Sequence, residues 1–195
     1  MTLRVVLLQG ERLRARLADV ARLRIEVFRE WPYLYDGDAD YERRYLSTFA
    51  AAEGATVIAA LDHDRMVGAA TASPLRHHHA DFAAPFEAAG HDVDAWFYLA
   101  ESVLLPDYRG RGVGVRFFEE REAAAREQGF ERTCFCAIAR DADHPRRPQG
   151  ATSLESFWRK RGYAPLEGVV ASFAWKEVAR NGEVDHKMRF WAKRF

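Results

Sequence analysis

The sequence predicts an α/β domain organised on a mixed sheet, and three features of the chain lead there. Thr56-Val-Ile-Ala-Ala-Leu61 and Arg65-Met-Val-Gly-Ala-Ala-Thr71 are β-prone runs around the turn Asp62-His-Asp64, which makes them a hairpin. Val169-Val-Ala-Ser-Phe-Ala-Trp175 and the run from Asp185 to Trp191 form a closing antiparallel pair around Asn181-Gly182. Between the two, a strand over Trp96-Phe-Tyr-Leu and Ser102-Val-Leu-Leu105 passes through a helical stretch to another strand, Arg132 to Ala139. A strand–helix–strand crossover brings parallel neighbours, so hairpins and crossover together give a mixed, mostly antiparallel sheet.

Taken in order, Leu3-Arg-Val-Val-Leu-Leu8 reads as the first strand. From Glu11 the period changes. Leu13, Leu17, Val20 and Val27 lie along one stripe with arginines between, which predicts a helix to about Arg29, ended by Pro32. Trp31-Pro-Tyr-Leu-Tyr-Asp-Gly37 is an aromatic loop. Asp40 is placed to cap a second helix carrying Tyr41, Tyr45 and Phe49 at four-residue spacing. Residues 74 to 95, with Phe82, Pro85, Phe86 and Gly90, read as an insertion of short helices over one end. The strand from Arg132 reads as fully buried, residues 140–150 as a proline-rich loop, and Ser153 to Arg161 as a short helix stopped at Gly162. No repeat, linker or low-complexity tract divides the chain, so residues 1–195 are expected to form a single domain.

Lys plus Arg and Asp plus Glu both number 29, a formal net charge of zero. Such a chain has no global field for nucleic acid or an anionic membrane, and neither is expected as a partner. Arg146-Arg147 reads as loop charge in water. The apolar start Val5-Val-Leu-Leu8 is short and followed by Glu11-Arg12, so no signal peptide or membrane span is expected. Cys134 and Cys136 lie two apart on one strand, where direction and spacing disfavour a mutual disulfide. With no larger cysteine framework, a reducing cytoplasm is the expected location.

Function concentrates in the stretch from Glu101 to Phe118. Pro106 stops the strand because it brings no backbone donor. Gly110, Gly112 and Gly114 then alternate, and a helical pattern follows. Val113, Phe117 and Ala124 share its inner face, Glu119-Glu-Arg-Glu122 takes the other, and Gly129 is the stop. Strand, glycine turn and helix start suit an anion. Glycines let backbone N–H groups approach a ligand with no Cβ in the way, and the helix start adds roughly half a positive charge. Arg109 and Arg111 add full ones. An ordinary tight connection is the plainer alternative. A Walker loop would need a lysine that is absent, and a dinucleotide fingerprint needs G-x-G-x-x-G where this chain has G-x-G-x-G.

Arg109-x-x-Gly112-x-Gly114, preceded by Val103-Leu-Leu-Pro-Asp-Tyr, resembles the acyl-CoA-binding motif of the GCN5-related N-acetyltransferase (GNAT) superfamily. The order of the other elements follows that superfamily along most of the chain. The resemblance implies the acyl-CoA N-acyltransferase fold, with helices on both faces of the sheet and a splay beside the central strand that admits the donor thioester. It implies acetyl-CoA as acyl donor, a small-molecule or peptide amine as acceptor, and direct attack in a ternary complex. A homodimer is compatible with it. The backbone of Ser102, Val103 and Leu104 would hold the pantetheine arm, and the Leu104 amide would polarise the thioester carbonyl. Gly110, Arg111, Gly112, Val113, Gly114 and Val115 would supply N–H groups to the pyrophosphate. Trp31, Tyr33 and Tyr35 belong to the loop that faces the acceptor in relatives, with core packing as the alternative.

An amine with a pKa of ~10.4 must lose a proton at neutral pH before it attacks. Glu101 stands where many relatives carry an acid that works through water, and Leu99, Val103 and Leu105 are expected to share its face, an apolar setting that favours proton uptake. The other reading is a partly buried Glu paired with one of the arginines. At the second proton the chain departs from the family. Where relatives have a tyrosine that protonates the leaving thiolate, Trp158 stands in Phe157-Trp158-Arg-Lys-Arg-Gly162-Tyr163, and Ala151 replaces an expected asparagine. Indole cannot give up that proton. A thiol of pKa ~8.5 leaves as thiolate at pH 7 for about 2 kcal/mol, so the loss is modest, and water, Tyr98 or His144 could substitute. Two alternatives follow: a non-catalytic acyl-CoA-binding module, or a same-fold enzyme with another donor. The latter draws on Arg24-x-x-x-Phe28 and a following tryptophan, which resemble the opening of acyl-homoserine-lactone synthases. No metal is expected, because His77-His78-His79 cannot converge on one ion and reads as a solvated helix start. Cys136 reads as an inert strand cysteine.

Overall fold

The computed structural model describes residues 3–195. Its strands are β1 (Leu3–Leu8), β2 (Thr56–Asp62), β3 (Arg65–Pro74), β4 (Phe97–Leu104), β5 (Arg132–Ile138), β6 (Ala164–Lys176) and β7 (Glu183–Arg194). They form one sheet in the order β1-β2-β3-β4-β5-β7-β6. Every neighbouring pair is antiparallel except β4 and β5. The helices are α1 (Gly10–Arg14), α2 (Leu17–Phe28), α3 (Ala39–Ala51), α4 (Ala80–Ala88), α5 (Val113–Glu127) and α6 (Glu155–Arg159). Adjacent residues of β4 show that both faces are covered: Glu101 reaches Arg24 of α2 on one side, and Ser102 reaches Arg121 of α5 on the other. The expected α/β fold with helices on both faces is therefore the observed one.

Two irregularities of β4 position the site. Its ladder to β5 holds only at Phe97–Thr133 and Tyr98–Cys134, after which the strands part and β5 continues against β7. Just beyond that point Ala70 pairs with Ser102 but Ala72 with Leu99, so Thr71 faces both Ala100 and Glu101. This two-against-one step is a β-bulge, which re-aims every side chain after it. Leu99 packs with Phe118 and Tyr163 on the α5 side, whereas Glu101 points to α2. The expectation that Leu99 shares the face of Glu101 is thus corrected, because strict alternation cannot register an extra residue.

Other boundaries move for local reasons. The helix expected from Glu11 to Arg29 is broken at Ala15 and Arg16 into α1 and α2. Asp38, not Asp40, caps α3 by accepting from the Tyr41 N–H. The buried side of α3 is Glu42, Leu46, Phe49 and Ala50, with Tyr41 left exposed. On α5, Arg121 and Glu122 are buried, so the run from Glu119 to Glu122 is no solvent face. The insertion does form α4 between two short 3-10 turns, and its start is not uniformly solvated. His79 caps α4, but the imidazole of His78 lies on Ser73 Oγ at 2.7 Å and edge-on to Tyr98, and burial lowers its pKa to about 4. Among the described residues no helix is long and apolar enough to cross a membrane.

Candidate active site

The turn between β4 and α5 is built from backbone. Tyr108 and Arg109 close a 3-10 turn on Leu105 O and Pro106 O, and Gly110 and Gly112 then take φ of +74° and +79°. L-residues with a side chain rarely adopt such angles. Val115 and Arg116 donate to Gly112 O at 3.0 and 3.2 Å, so Val115 drops out of the expected donor set. The N–H groups of Gly110, Gly112, Val113 and Gly114 have no protein acceptor among the described residues. A Cβ added at Gly110 or Gly112 would meet nothing within 4 Å, so the turn is not plugged by its own surroundings. Gly114 is closer packed, 3.4 Å from Phe157 Cζ by the same measure. Arg109 braces the turn, with Nε on Leu104 O at 3.1 Å and Nη2 on Glu30 at 2.9 Å. Arg111 lies over the Tyr108 ring.

Beside this turn β4 lines the splay. Leu105 N–H donates to Val67 O, so alternation gives Val103 to the β3 ladder and turns the polar backbone of Ser102 and Leu104 toward the opened side. Glu101 is 7% exposed and lies 2.6 Å from Arg24 Nη1, while Arg24 Nε donates to Glu42 at 2.5 Å. The Glu101 contact is ionic but off the hydrogen-bond axis, and Oε1 has no hydrogen-bond donor among the described residues. Burial opposes the charge on Arg24, but Glu101, Tyr45 and Glu42 outweigh it and hold the guanidinium firmly protonated. Two buried carboxylates therefore share one guanidinium.

The comparisons with known proteins fall on this same region. The acetyltransferase (GNAT) family model matches residues 20–148, from α2 through the turn to the loop after β5. The chain belongs to the GNAT acetyltransferase family. It is accordingly an N-acetyltransferase that takes acetyl-CoA as donor. Similar solved structures include a ribosomal-protein-alanine N-acetyltransferase from Brucella melitensis, at 16% identity and a TM-score of 0.63, covering 97% of this chain and 99% of that one. A GCN5-related N-acetyltransferase from Kribbella flavida matches at 16% identity and 0.59, covering 99% and 98%. A structure from Salmonella typhimurium with its cofactor acetyl-CoA matches at 14% identity and 0.59, covering 97% and 93%. At such identities these likenesses show the fold. A comparison with curated proteins found no match.

In this GNAT protein the residues fit the donor: acceptor-free amides, a helix start and an open splay suit a pyrophosphate followed by an extended amide chain. The loop residues are less free. Trp31 lies 5.1 Å from His144 by ring centroids, with Arg140 over its face. Tyr33 packs on Phe28 and Trp175, and its carbonyl accepts from Arg140 and Trp175. Tyr35 donates to Glu42 at 3.0 Å. Burial raises the hydroxyl pKa of both tyrosines. Of the possible proton donors, Tyr98 is bonded to Cys136 Sγ at 3.0 Å with its pKa raised by burial, and the Trp158 ring is held against Phe135 and Trp191. Cys136 is pushed up to about 12 by burial, so its thiol is inert. Two surface depressions of about 430 Å³ lie elsewhere, one at Trp96, Arg132 and Pro165 and one at Glu87 and Asp92. Sequence reasoning missed Arg24, Glu42 and Arg121 as parts of the site. The one available signal was an unusual wealth of arginine in amphipathic stretches.

Proposed function

We propose that residues 1–195 act as one domain that acetylates a small-molecule or peptide amine by direct attack in a ternary complex. The observation that carries this reading is the set of acceptor-free amides at Gly110, Gly112, Val113 and Gly114, set beside strands that part after Tyr98. Acetyl-CoA supplies an activated acetyl group. The amides of the turn bind its charged end, and the backbone of Ser102 and Leu104 aligns the arm along β4. The Leu104 N–H is the donor placed for a carbonyl oxygen, in a splay where low dielectric strengthens it. Glu101 is the base. It receives the proton of the acceptor's ammonium, directly or through one water, at the carboxylate oxygen not held against Arg24, and so frees the amine to attack. The second proton leaves the nitrogen as the tetrahedral intermediate collapses and passes to the departing thiolate or to water.

Trp158 offers no acid, and the buried Tyr98 hydroxyl is a poor one, so the thiolate leaves unaided or with water. We place the enzyme in a reducing cytoplasm, a reading supported by two free, buried cysteines. Titration calorimetry with acetyl-CoA tests the donor site, and thiol release across a panel of amines tests the transfer. Absence of acetyl-CoA binding would overturn the assignment of the turn, and binding without thiol release from any amine would overturn the transfer.

A further inference from the structure

The bulge in β4 leaves backbone groups that the sheet does not satisfy. Thr71 O and Glu101 O lie at the out-of-register step, and a buried carbonyl with no donor is destabilising. Arg121, on the fifth helix, meets both. Its Nη1 donates to Thr71 O at 3.3 Å and Glu101 O at 3.2 Å, its Nη2 to Ser102 Oγ at 2.8 Å, and its Nε to Phe117 O at 3.0 Å. The residue is 1% exposed, and these bonded partners are three carbonyls and a hydroxyl, with no carboxylate. Burial lowers its pKa to about 10, which still leaves it charged at neutral pH. A buried charge with no carboxylate in bonding contact, and Glu101 and Glu122 acting only at longer range, is expensive, and a regular strand could rest on an apolar side chain instead. The arginine is matched to the bulge.

We propose that Arg121 is a positioning residue for acyl transfer: its guanidinium holds the β4 bulge, and the bulge sets Glu101 toward α2 and turns Ser102 and Leu104 to the splay. This rests on the reading of Glu101 and the splay given above. Without the extra residue in β4, Glu101 would fall on the face of Leu99 and lose Arg24. Arg121 touches neither reactant, so its effect must pass through that geometry.

The test uses Arg121→Met and Arg121→Gln, with Arg121→Lys as the conservative variant. Calorimetry with acetyl-CoA gives the fraction of binding-competent protein and its Kd, thiol release gives kcat, and NMR follows the amide resonances of Ala100, Glu101 and Ser102. Expected is a fall in kcat per competent molecule of about 10²-fold, the effect of a displacement near 1 Å, with a smaller rise in acetyl-CoA Kd, because the arm loses its alignment on β4 while the turn that holds the charged end is unchanged. The three resonances should move with it, and lysine should restore part of both. If the methionine variant does not fold, the glutamine variant, which keeps a donor, carries the same comparison. An arginine that only stabilises would lower the melting temperature and the competent fraction while leaving kcat per competent molecule and the resonances unchanged, and that result overturns the proposal. A wild-type protein that releases no thiol from any amine refutes the transfer reading instead. The resonances then decide alone, and unmoved signals would sink the clamp.

Discussion

The turn after β4 and the surroundings of Glu101 are near neighbours in the chain, yet they are made in different ways. The turn is backbone: glycines at positive φ, a helix start, and a brace from Arg109. Its chemistry is complete within a few consecutive residues. The Glu101 site is made by side chains from distant elements: Arg24 from α2, Thr71 from β3 and Arg121 from α5 converge on one strand residue, and Glu42 from α3 holds Arg24. Its chemistry exists only once four elements have packed. Binding of the donor and activation of the acceptor should therefore be separable by mutation.

The largest effect should come from the turn. Gly112→Val forces a β-branched residue to φ +79° and projects its methyl groups into the open space before the amides. Acetyl-CoA binding should fall by at least about 10²-fold by calorimetry, the equivalent of about 2.7 kcal/mol. An unchanged Kd would remove the turn from the site and erase the contrast. Next is Glu101→Gln, which should keep acetyl-CoA affinity and lower kcat by about 10²-fold or more, as loss of a general base does. Unchanged turnover would remove Glu101 from the mechanism.

A smaller effect concerns pH. His78 is half-buried beside Ser73 and Tyr98 and stays neutral in the fold, with a pKa of about 4 against an ordinary 6.5. The unfolded chain binds the proton first, so this contribution to stability is whole above pH 6.5 and is lost as pH falls toward 4. The drop in melting temperature between pH 7 and 4.5 should be smaller in His78→Phe by about 4–10 °C, corresponding to about 2–3 kcal/mol. An equal drop in both proteins would contradict the assignment. The smallest effect is expected from Trp158→Tyr. The ring position faces Phe135 and Trp191, and the proton it would supply is worth at most about 2 kcal/mol. Steady-state kcat should stay within about tenfold of wild type, and a larger gain would show that the position does reach the leaving group.

The turn was legible early because Pro106, the alternating glycines and Gly129 act on their own backbone. Hairpins at Asp62–Asp64 and Asn181-Gly182 were legible for the same reason. Less could be read around Glu101. The ion pair with an arginine was one of two readings of that residue, but nothing local said which of many arginines would reach it. The run Glu119-Glu-Arg-Glu122 looked like a solvent face, because burial of charge depends on partners that periodicity cannot see.

The sequence by itself determined the strand–turn–helix that presents bare amides and the order of strands and helices around it. Those features follow from torsional preferences and apolar spacing over a few residues. Only the tertiary structure decided where the strands part, where β4 bulges, and which of its side chains meets Arg24. Pairing register and charge burial are settled between elements far apart in the chain, where the cost of an unmet carbonyl or carboxylate selects the partner.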